Sequence, residues 1–231
     1  MRDGTTSPLS YRITALAALL LFAGAGCDDD LTTYYPMDEG RTWNYRVSVS
    51  QDGESVSANA VVANLATADV LGRTGVPQRS ELFGQTVVRY LAERSDGIVE
   101  YAQQSGDTAP VAKDRPDYVL KIPIVPGTSW SSSWQSTTGG TPVDFPTVKA
   151  ISTIRETVIV PAGTFADCLR IRIAGKNELG LPKGQTIIEV RGEEWYAPGV
   201  GFIKGTFRET VNHGEATTEL AINLESFGQA R

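Results

Sequence analysis

Alternation with period two is the feature that most narrows the folds open to this chain. Trp43, Tyr45, Val47 and Val49 fall on one side of an extended segment and Asn44, Arg46, Ser48 and Ser50 on the other, the pattern of a strand with one buried and one wet face. Leu169, Ile171 and Ile173 alternate in the same way with Arg170 and Arg172, and Leu220, Ile222 and Leu224 with Ala221, Asn223 and Glu225. A single wet face is an antiparallel habit, because parallel strands are covered on both sides. Further strands are expected over Ser55–Ala63, Thr86–Glu93, Ile98–Gln103, Tyr118–Ile124, Ser129–Gln135, Val148–Val160, Thr186–Tyr196 and Phe202–Val211. Turn pairs punctuate them at Asp52-Gly53, Asp96-Gly97, Gly139-Gly140, Ala162-Gly163, Pro198-Gly199 and His213-Gly214. About ten short strands at this spacing predict a mainly β chain with one curved antiparallel sheet, half-barrel or sandwich-like. The Ala-rich stretch Ala58–Leu71 overlaps one of these strands and has the composition of a short helix instead.

The N-terminal segment follows a different logic. Arg2 and Arg12 precede an uncharged run, Ile13–Ala23, which is too short for a permanent span of roughly 20 apolar residues and has the make-up of a signal-peptide core. Gly24-Ala25-Gly26-Cys27 closes it and resembles the lipobox of bacterial lipoproteins, in which the cysteine thiol receives a diacylglyceryl group before cleavage. Gly24 departs from that pattern, where an aliphatic residue is commoner, and the alternative is an ordinary secretory signal cut at one of these small residues. The expected organisation is a signal peptide over 1–26, a lipid anchor and acidic spacer over 27–33, and a β domain over 34–231. Two or three acyl chains, at about 0.8 kcal/mol per buried methylene, would hold the domain on a membrane almost permanently through Cys27.

Asp28, Asp29 and Asp30 follow at once, a solvated spacer that stays out of the bilayer. An aspartate next to the lipidated cysteine resembles the inner-membrane retention signal of enteric bacteria, whereas other phyla use acidic residues there for surface export. The expected location is the cell envelope, at the outer membrane or cell surface, with the inner membrane as the alternative. A net charge of −6 without Lys/Arg runs argues against nucleic acid as a partner.

Chemistry-bearing motifs are scarce. The chain has no G-x-S-x-G elbow, no phosphate-binding loop and no H-E-x-x-H, and its single histidine, His213, sits in a turn. No metal site and no cofactor is expected. With Cys27 acylated, Cys168 is left as a lone thiol at a strand start, read as a small buried hydrophobe. The carboxylate pairs Asp38-Glu39 and Glu193-Glu194 read as solvated positions, and adjacent acids on a strand point to opposite faces, so Glu193 and Glu194 cannot both line one site.

The aromatic residues offer more. Trp43, Trp130, Trp134 and Trp195, with Tyr34, Tyr35, Tyr45 and Tyr196, read first as core plugs and second as the walls of an apolar or sugar pocket. The ligand-binding set chosen from them is Trp43, Trp130, Trp195 and Tyr196, with Phe202. In SWSSSWQS, Trp130 and Trp134 share strand parity, which makes them a candidate exposed binding strip or sheet edge. PMDEGRTW (36–43) and PIVPGTSW (123–130) share P-x-x-x-G-x-x-W. Two similar turns entering two strands explain it, with a duplicated half-domain as the other reading.

Three segments, YYPMDEGRTWNY (34–45), VPAGTFADCLRIRI (160–173) and EEWYAPGVGFIKG (193–205), together resemble a group of poorly characterised bacterial lipoproteins that open with a Pro-Gly-Trp turn soon after the anchor. More distantly the architecture is similar to that of the LolA/LolB lipoprotein carriers, whose curved sheet holds acyl chains on its concave face. The resemblance implies a shared fold and no catalytic residue. The expected function is therefore a non-enzymatic, lipid-anchored binding or structural module for an apolar ligand or an envelope protein. The competing expectation is an envelope hydrolase acting on polysaccharide or lipid through carboxylates such as Asp38 or Glu194.

Overall fold

The computed structural model describes residues 31–51, 53–136, 142–181, 184–212 and 214–229. The signal segment 1–26, Cys27, Asp28–Asp30, the Gly139-Gly140 turn and His213 lie outside the described residues. One helical turn, α1 (Leu31–Tyr34), precedes the strands β1 (Arg41–Gln51), β2 (Glu54–Asn64), β3 (Ala68–Val70), β4 (Arg73–Leu82), β5 (Gln85–Arg94), β6 (Gly97–Ser105) and β7 (Val111–Lys121). The second half holds β8 (Ser129–Ser136), β9 (Val143–Val160), β10 (Gly163–Leu181), β11 (Gly184–Ala197), β12 (Gly201–Val211) and β13 (Ala216–Gln229).

Consecutive strands pair antiparallel except at β2/β3 and β7/β8; β2 pairs with β4 and β1 with β13, so the sheet runs β7-β6-β5-β4-β2-β1-β13-β12-β11-β10-β9-β8 with β3 beside β4. The result is a single antiparallel sheet nearly closed as a barrel, with 13 strands against the ten or so expected. First and last strands join, while β7 and β8, consecutive in the chain, face each other as the two sheet edges. Register shifts at Asn44/Tyr45, Tyr90/Leu91 and Trp195/Tyr196 are bulges that bend and coil the sheet.

The two P-x-x-x-G-x-x-W turns have counterpart places. Gly40 and Gly127 both take positive φ (77° and 98°), which glycine adopts without steric cost. One turn delivers Trp43 to β1 and the other Trp130 to β8, the first strands of the two halves of the sheet.

The expected helix over Ala58–Leu71 is corrected to strand: β2 runs to Asn64 and β3 begins at Ala68. Ala58 and Ala60 oppose Val47 and Tyr45 on β1, and this cross-strand pairing overrides alanine's weak helical preference. The sequence reading also missed β4, whose Gly75, Pro77 and charged residues break the alternation. Pro77 sits where the neighbour of β4 changes from β3 (through Gly75) to β2 (from Gln78), a point at which its missing N–H interrupts no ladder.

Register places Trp43, Tyr45 and Val47 on the same face as Ala60, Val62, Gln78, Ser80 and Arg89. Across the barrel, Trp130 and Ser132 share a face with Thr147, Lys149, Ile171, Ile173, Gly192 and Glu194. These two sets form the barrel interior. At one side of it α1 and its continuation bring Leu31 and Tyr35 into a packed cluster with Leu91, Ile98, Leu120, Trp130, Ile151 and Leu169. The long β9–β10 hairpin bends back at its tip, where Ala162 N–H donates to Leu224 O (3.0 Å), and Val158 and Val160 pack in one cluster with Cys168, Trp195 and Ile203.

Interior glycines let an aromatic ring lie flat on the wall. A Cβ on Gly192 would overlap the Phe207 ring and stand 2.9 Å from Thr206 O, and one on Gly205 would stand 2.7 Å from Phe207 Cε2. Phe207 therefore occupies space that any other residue at these positions would fill.

Candidate functional site

Inside the barrel is a cavity of about 320 Å³, at the small end of the roughly 300–1,000 Å³ range of small-molecule sites. Its walls differ in chemistry. Tyr45, Val47, Ala60, Val62, Leu82, Phe202, Phe207 and Ile222 make an apolar side, and Tyr35, Gln78, Arg89, Glu100, Asp117, Lys149, Glu194 and Tyr196 a polar one.

The polar side is organised by two sets of ion pairs. Lys149 Nζ donates to both oxygens of Glu194 (3.1 and 3.1 Å), and Tyr196 OH donates to Glu194 Oε2 (2.9 Å). Lys113 Nζ pairs with Glu100 Oε1 at 2.9 Å and lies 3.7 Å from Asp117 Oδ2, while Arg89 Nη1 stands 3.7 Å from Glu100 Oε2. Arg89 Nη2 donates to Tyr35 OH (2.9 Å) and to Gln78 Oε1, and Tyr35 OH donates to Gln78 Oε1 (2.9 Å). Gln78 Nε2 continues the chain to Asn64 Oδ1 (3.0 Å), whose amide donates to Pro36 O and Asp38 O (3.1 and 3.2 Å). The turn that follows the N-terminal segment is thereby tied into the lumen.

Burial shifts the phenols that touch this cluster. Desolvation pushes the Tyr45 and Tyr196 hydroxyls well above the usual tyrosine range, with the Glu194 charge adding to the effect at Tyr196. Tyr35 beside it holds the Arg89 guanidinium above its ordinary value, against the opposing effect of burial. Both phenols stay protonated donors and Arg89 stays a cation throughout the accessible pH range.

A second concavity, about 1120 Å³, follows the seam between β7 and β8, and Asp117 and Tyr118 line both it and the lumen. Trp130 Nε1 donates to Tyr118 O (3.0 Å) across the two edges. Among the described residues no group of three metal-ligating side chains is gathered, and no helix is long and apolar enough to cross a membrane.

The five aromatic residues singled out in the sequence separate. Trp43, Tyr196 and Phe202 line the lumen; Trp43 Nε1 donates to Val200 O (2.7 Å), Tyr45 OH to Phe202 O (2.8 Å), and the Tyr196 and Phe202 rings meet edge-on at 5.5 Å. Trp130 is buried at the seam. Trp195 points to the other face of its sheet from Glu194 and Tyr196, beneath the β9–β10 hairpin, with Lys204 Nζ 5.0 Å over its ring. Of the two readings of the Trp130/Trp134 pair, the sheet edge holds, because β8 ends the sheet, and the exposed strip is corrected: both face inward, Trp134 donating to Glu209 Oε2 (2.8 Å) with its ring 5.2 Å from that of Phe207.

Glu193 and Glu194 do point apart, the first pairing with Arg172 (3.3 Å) on the outside. Glu194 is not the solvated residue expected, because the barrel closes over it. Asp38 is exposed and pairs with Arg41 (3.1 Å). Cys168 is fully buried, and desolvation pushes its thiol up to about 11, the inert hydrophobe expected of it.

Sequence reasoning passed over Arg89, Glu100, Asp117 and Lys149. The alternation gave no signal for two of them: Val88 and Tyr90 are as apolar as Val87 and Leu91 around Arg89, and Val148 and Ala150 as apolar as Thr147 and Ile151 around Lys149.

Together these features define a nearly closed up-and-down antiparallel barrel with a two-faced lumen and an open seam. No family model matches the chain, and no curated protein matches it. It is similar to a solved protein of Bacteroides fragilis described as exported and as having a YmcC-like fold, at 15% identity and a TM-score of 0.39, with 85% of this chain and 99% of that one covered. It is also similar to a solved protein of Parabacteroides distasonis described as a lipoprotein, at 17% identity and a TM-score of 0.39, with 86% and 100% covered. At such values the likeness is one of outline.

Proposed function

We propose that this protein is a lipid-anchored component of the bacterial cell envelope, tethered through acylated Cys27, whose barrel binds an amphipathic small molecule without transforming it. The observation that carries the reading is the lumen of about 320 Å³ with one apolar and one hydrogen-bonding wall. A structural barrel of this size would fill that volume with side chains. Entry is through the seam, because β7 and β8 are the sheet edges and Asp117 and Tyr118 border both spaces.

Hydrolysis has weaker support. Glu194 is held on both oxygens by Lys149, and Asp38 is paired on the surface, away from the lumen lining. The anchor is tested by intact-mass measurement of the extracted mature protein, which is expected to carry acyl chains at Cys27; a Cys27–Cys168 disulfide refutes it. Native mass spectrometry of the same preparation tests the lumen. Retention of a bound amphiphile, lost when Val62→Trp fills the cavity, is the expected result, and an unliganded protein that turns over ester or glycan substrates is the refuting one.

A further inference from the structure

The lumen is lined by two cations, Arg89 and Lys149, and they are not equally occupied. Lys149 is committed to both oxygens of Glu194, and Glu100, the acid nearest Arg89, makes its short pair with Lys113 at 2.9 Å and stands 3.7 Å from Arg89. Arg89 spends Nη2 on Tyr35 and Gln78. Its Nε and Nη1 donate to none of the described residues, and 37% of its side-chain surface remains accessible, facing the cavity it lines. A guanidinium fixed through Nη2, with N–H donors at Nε and Nη1 still unbonded, is a preorganised cation that takes a carboxylate or phosphate by a charge-assisted hydrogen bond.

We infer that the lumen ligand is a single-chain amphiphile with an anionic head, a carboxylate or phosphate, seated on the unbonded N–H donors of Arg89 with its chain against Tyr45, Val47, Val62, Leu82 and Ile222. This rests on the binding reading above and names the chemistry of that same site. The cavity volume suits one chain rather than several. Binding would compete with the longer Arg89–Glu100 pair at 3.7 Å and leave each lumen carboxylate another cation: Glu100 and Asp117 keep Lys113, and Glu194 keeps Lys149. The competing chemistry is a cationic head at Asp117, whose Oδ1 is buried without a hydrogen-bond partner and whose Oδ2 lies 3.7 Å from Lys113.

The test uses the full anchored protein in nanodiscs and diazirine-labelled single-chain probes of one length, ending in carboxylate, phosphate, hydroxyl or ammonium. Labelled peptides are mapped by mass spectrometry. The acidic probes are expected to label β1, β2 and β13 lumen residues at least about tenfold more than the alcohol, the discrimination of a charge-assisted hydrogen bond; the carboxylate and phosphate arms separate the two heads. Arg89→Gln is expected to bring acid labelling down to the alcohol level while leaving alcohol labelling within about twofold, and Arg89→Lys, which keeps the charge and loses the fixed planar donors, to fall between. Equal acid and alcohol labelling in the unaltered protein overturns the inference and leaves lumen binding standing, whether or not Arg89→Gln folds. Strongest labelling by the ammonium probe overturns it in favour of Asp117. Lumen labelling by none of the four overturns the binding reading itself.

Discussion

Replacing Lys149 by methionine tests whether the lumen is an interior or an extension of solvent. Lys149 and Glu194 keep only 13% and 12% of their side-chain surfaces accessible, and Nζ lies 3.1 Å from both carboxylate oxygens. At an effective dielectric of about 20 the attraction at that distance is about 5 kcal/mol. Methionine fills a similar volume and leaves the Glu194 carboxylate with the Tyr196 hydroxyl as its remaining hydrogen-bond donor. Breaking a buried pair costs about 3–5 kcal/mol, and water in the cavity brings the expectation to the lower end, about 3. With a urea slope of about 2 kcal/mol/M, the unfolding midpoint should drop by about 1.5 M. The double variant Lys149→Met/Glu194→Gln removes the stranded charge and keeps an acceptor for Tyr196, so it should recover most of the loss, to within about 1 kcal/mol of the unaltered protein. Equilibrium urea unfolding followed by circular dichroism reads all three. A Lys149→Met midpoint within about 0.3 M of the unaltered protein, or a double variant no more stable than the single, would refute the claim that this pair is desolvated.

Gly192→Ala should cost about 1–3 kcal/mol, the usual penalty of overpacking, because its Cβ meets the Phe207 ring and Thr206 O; the same urea experiment measures it, and adding Phe207→Leu should reduce the increment caused by alanine. Trp130→Phe removes the cross-seam hydrogen bond to Tyr118 O, worth about 1 kcal/mol, and amide exchange should quicken in β7 and β8 with little change in β1 and β13. Cys168 should resist iodoacetamide at pH 8 until the protein unfolds, since it is fully buried with its thiol raised to about 11. The folded state holds that proton more tightly than an unfolded cysteine near 8.5. The contribution to stability is therefore complete below about pH 8.5 and is lost as pH rises towards about 11, and Cys168→Ala should flatten that alkaline fall in thermal unfolding scans.

Local pattern carried the sheet further than the site. Trp43, Tyr45 and Val47 could be assigned to one buried face because side-chain direction in a strand depends only on parity, and the turn glycines announced where strands end. The same rule separated Glu193 from Glu194. It failed at β4, where Pro77 and Gly75 interrupt the alternation, and over Ala58–Leu71, where composition spoke for helix and pairing with β1 decided for strand. The chosen aromatics fared unevenly for a related reason: parity says that two residues share a face, and it does not say whether that face looks into a lumen, as for Tyr196, or under a folded-back hairpin, as for Trp195.

The chain by itself determined an antiparallel β architecture, the turns that enter β1 and β8, and a buried lone cysteine in the β domain, since each of these follows from neighbours a few residues apart. Tertiary structure alone decided that β1 meets β13 while β7 and β8 stay apart. It also decided that Arg89, Glu100, Lys113, Asp117, Lys149 and Glu194 gather from five strands around one cavity and its rim. Pairing between strands far apart in sequence, and the choice of which cation each acid takes, depend on how the sheet curls in space, and no local periodicity encodes that.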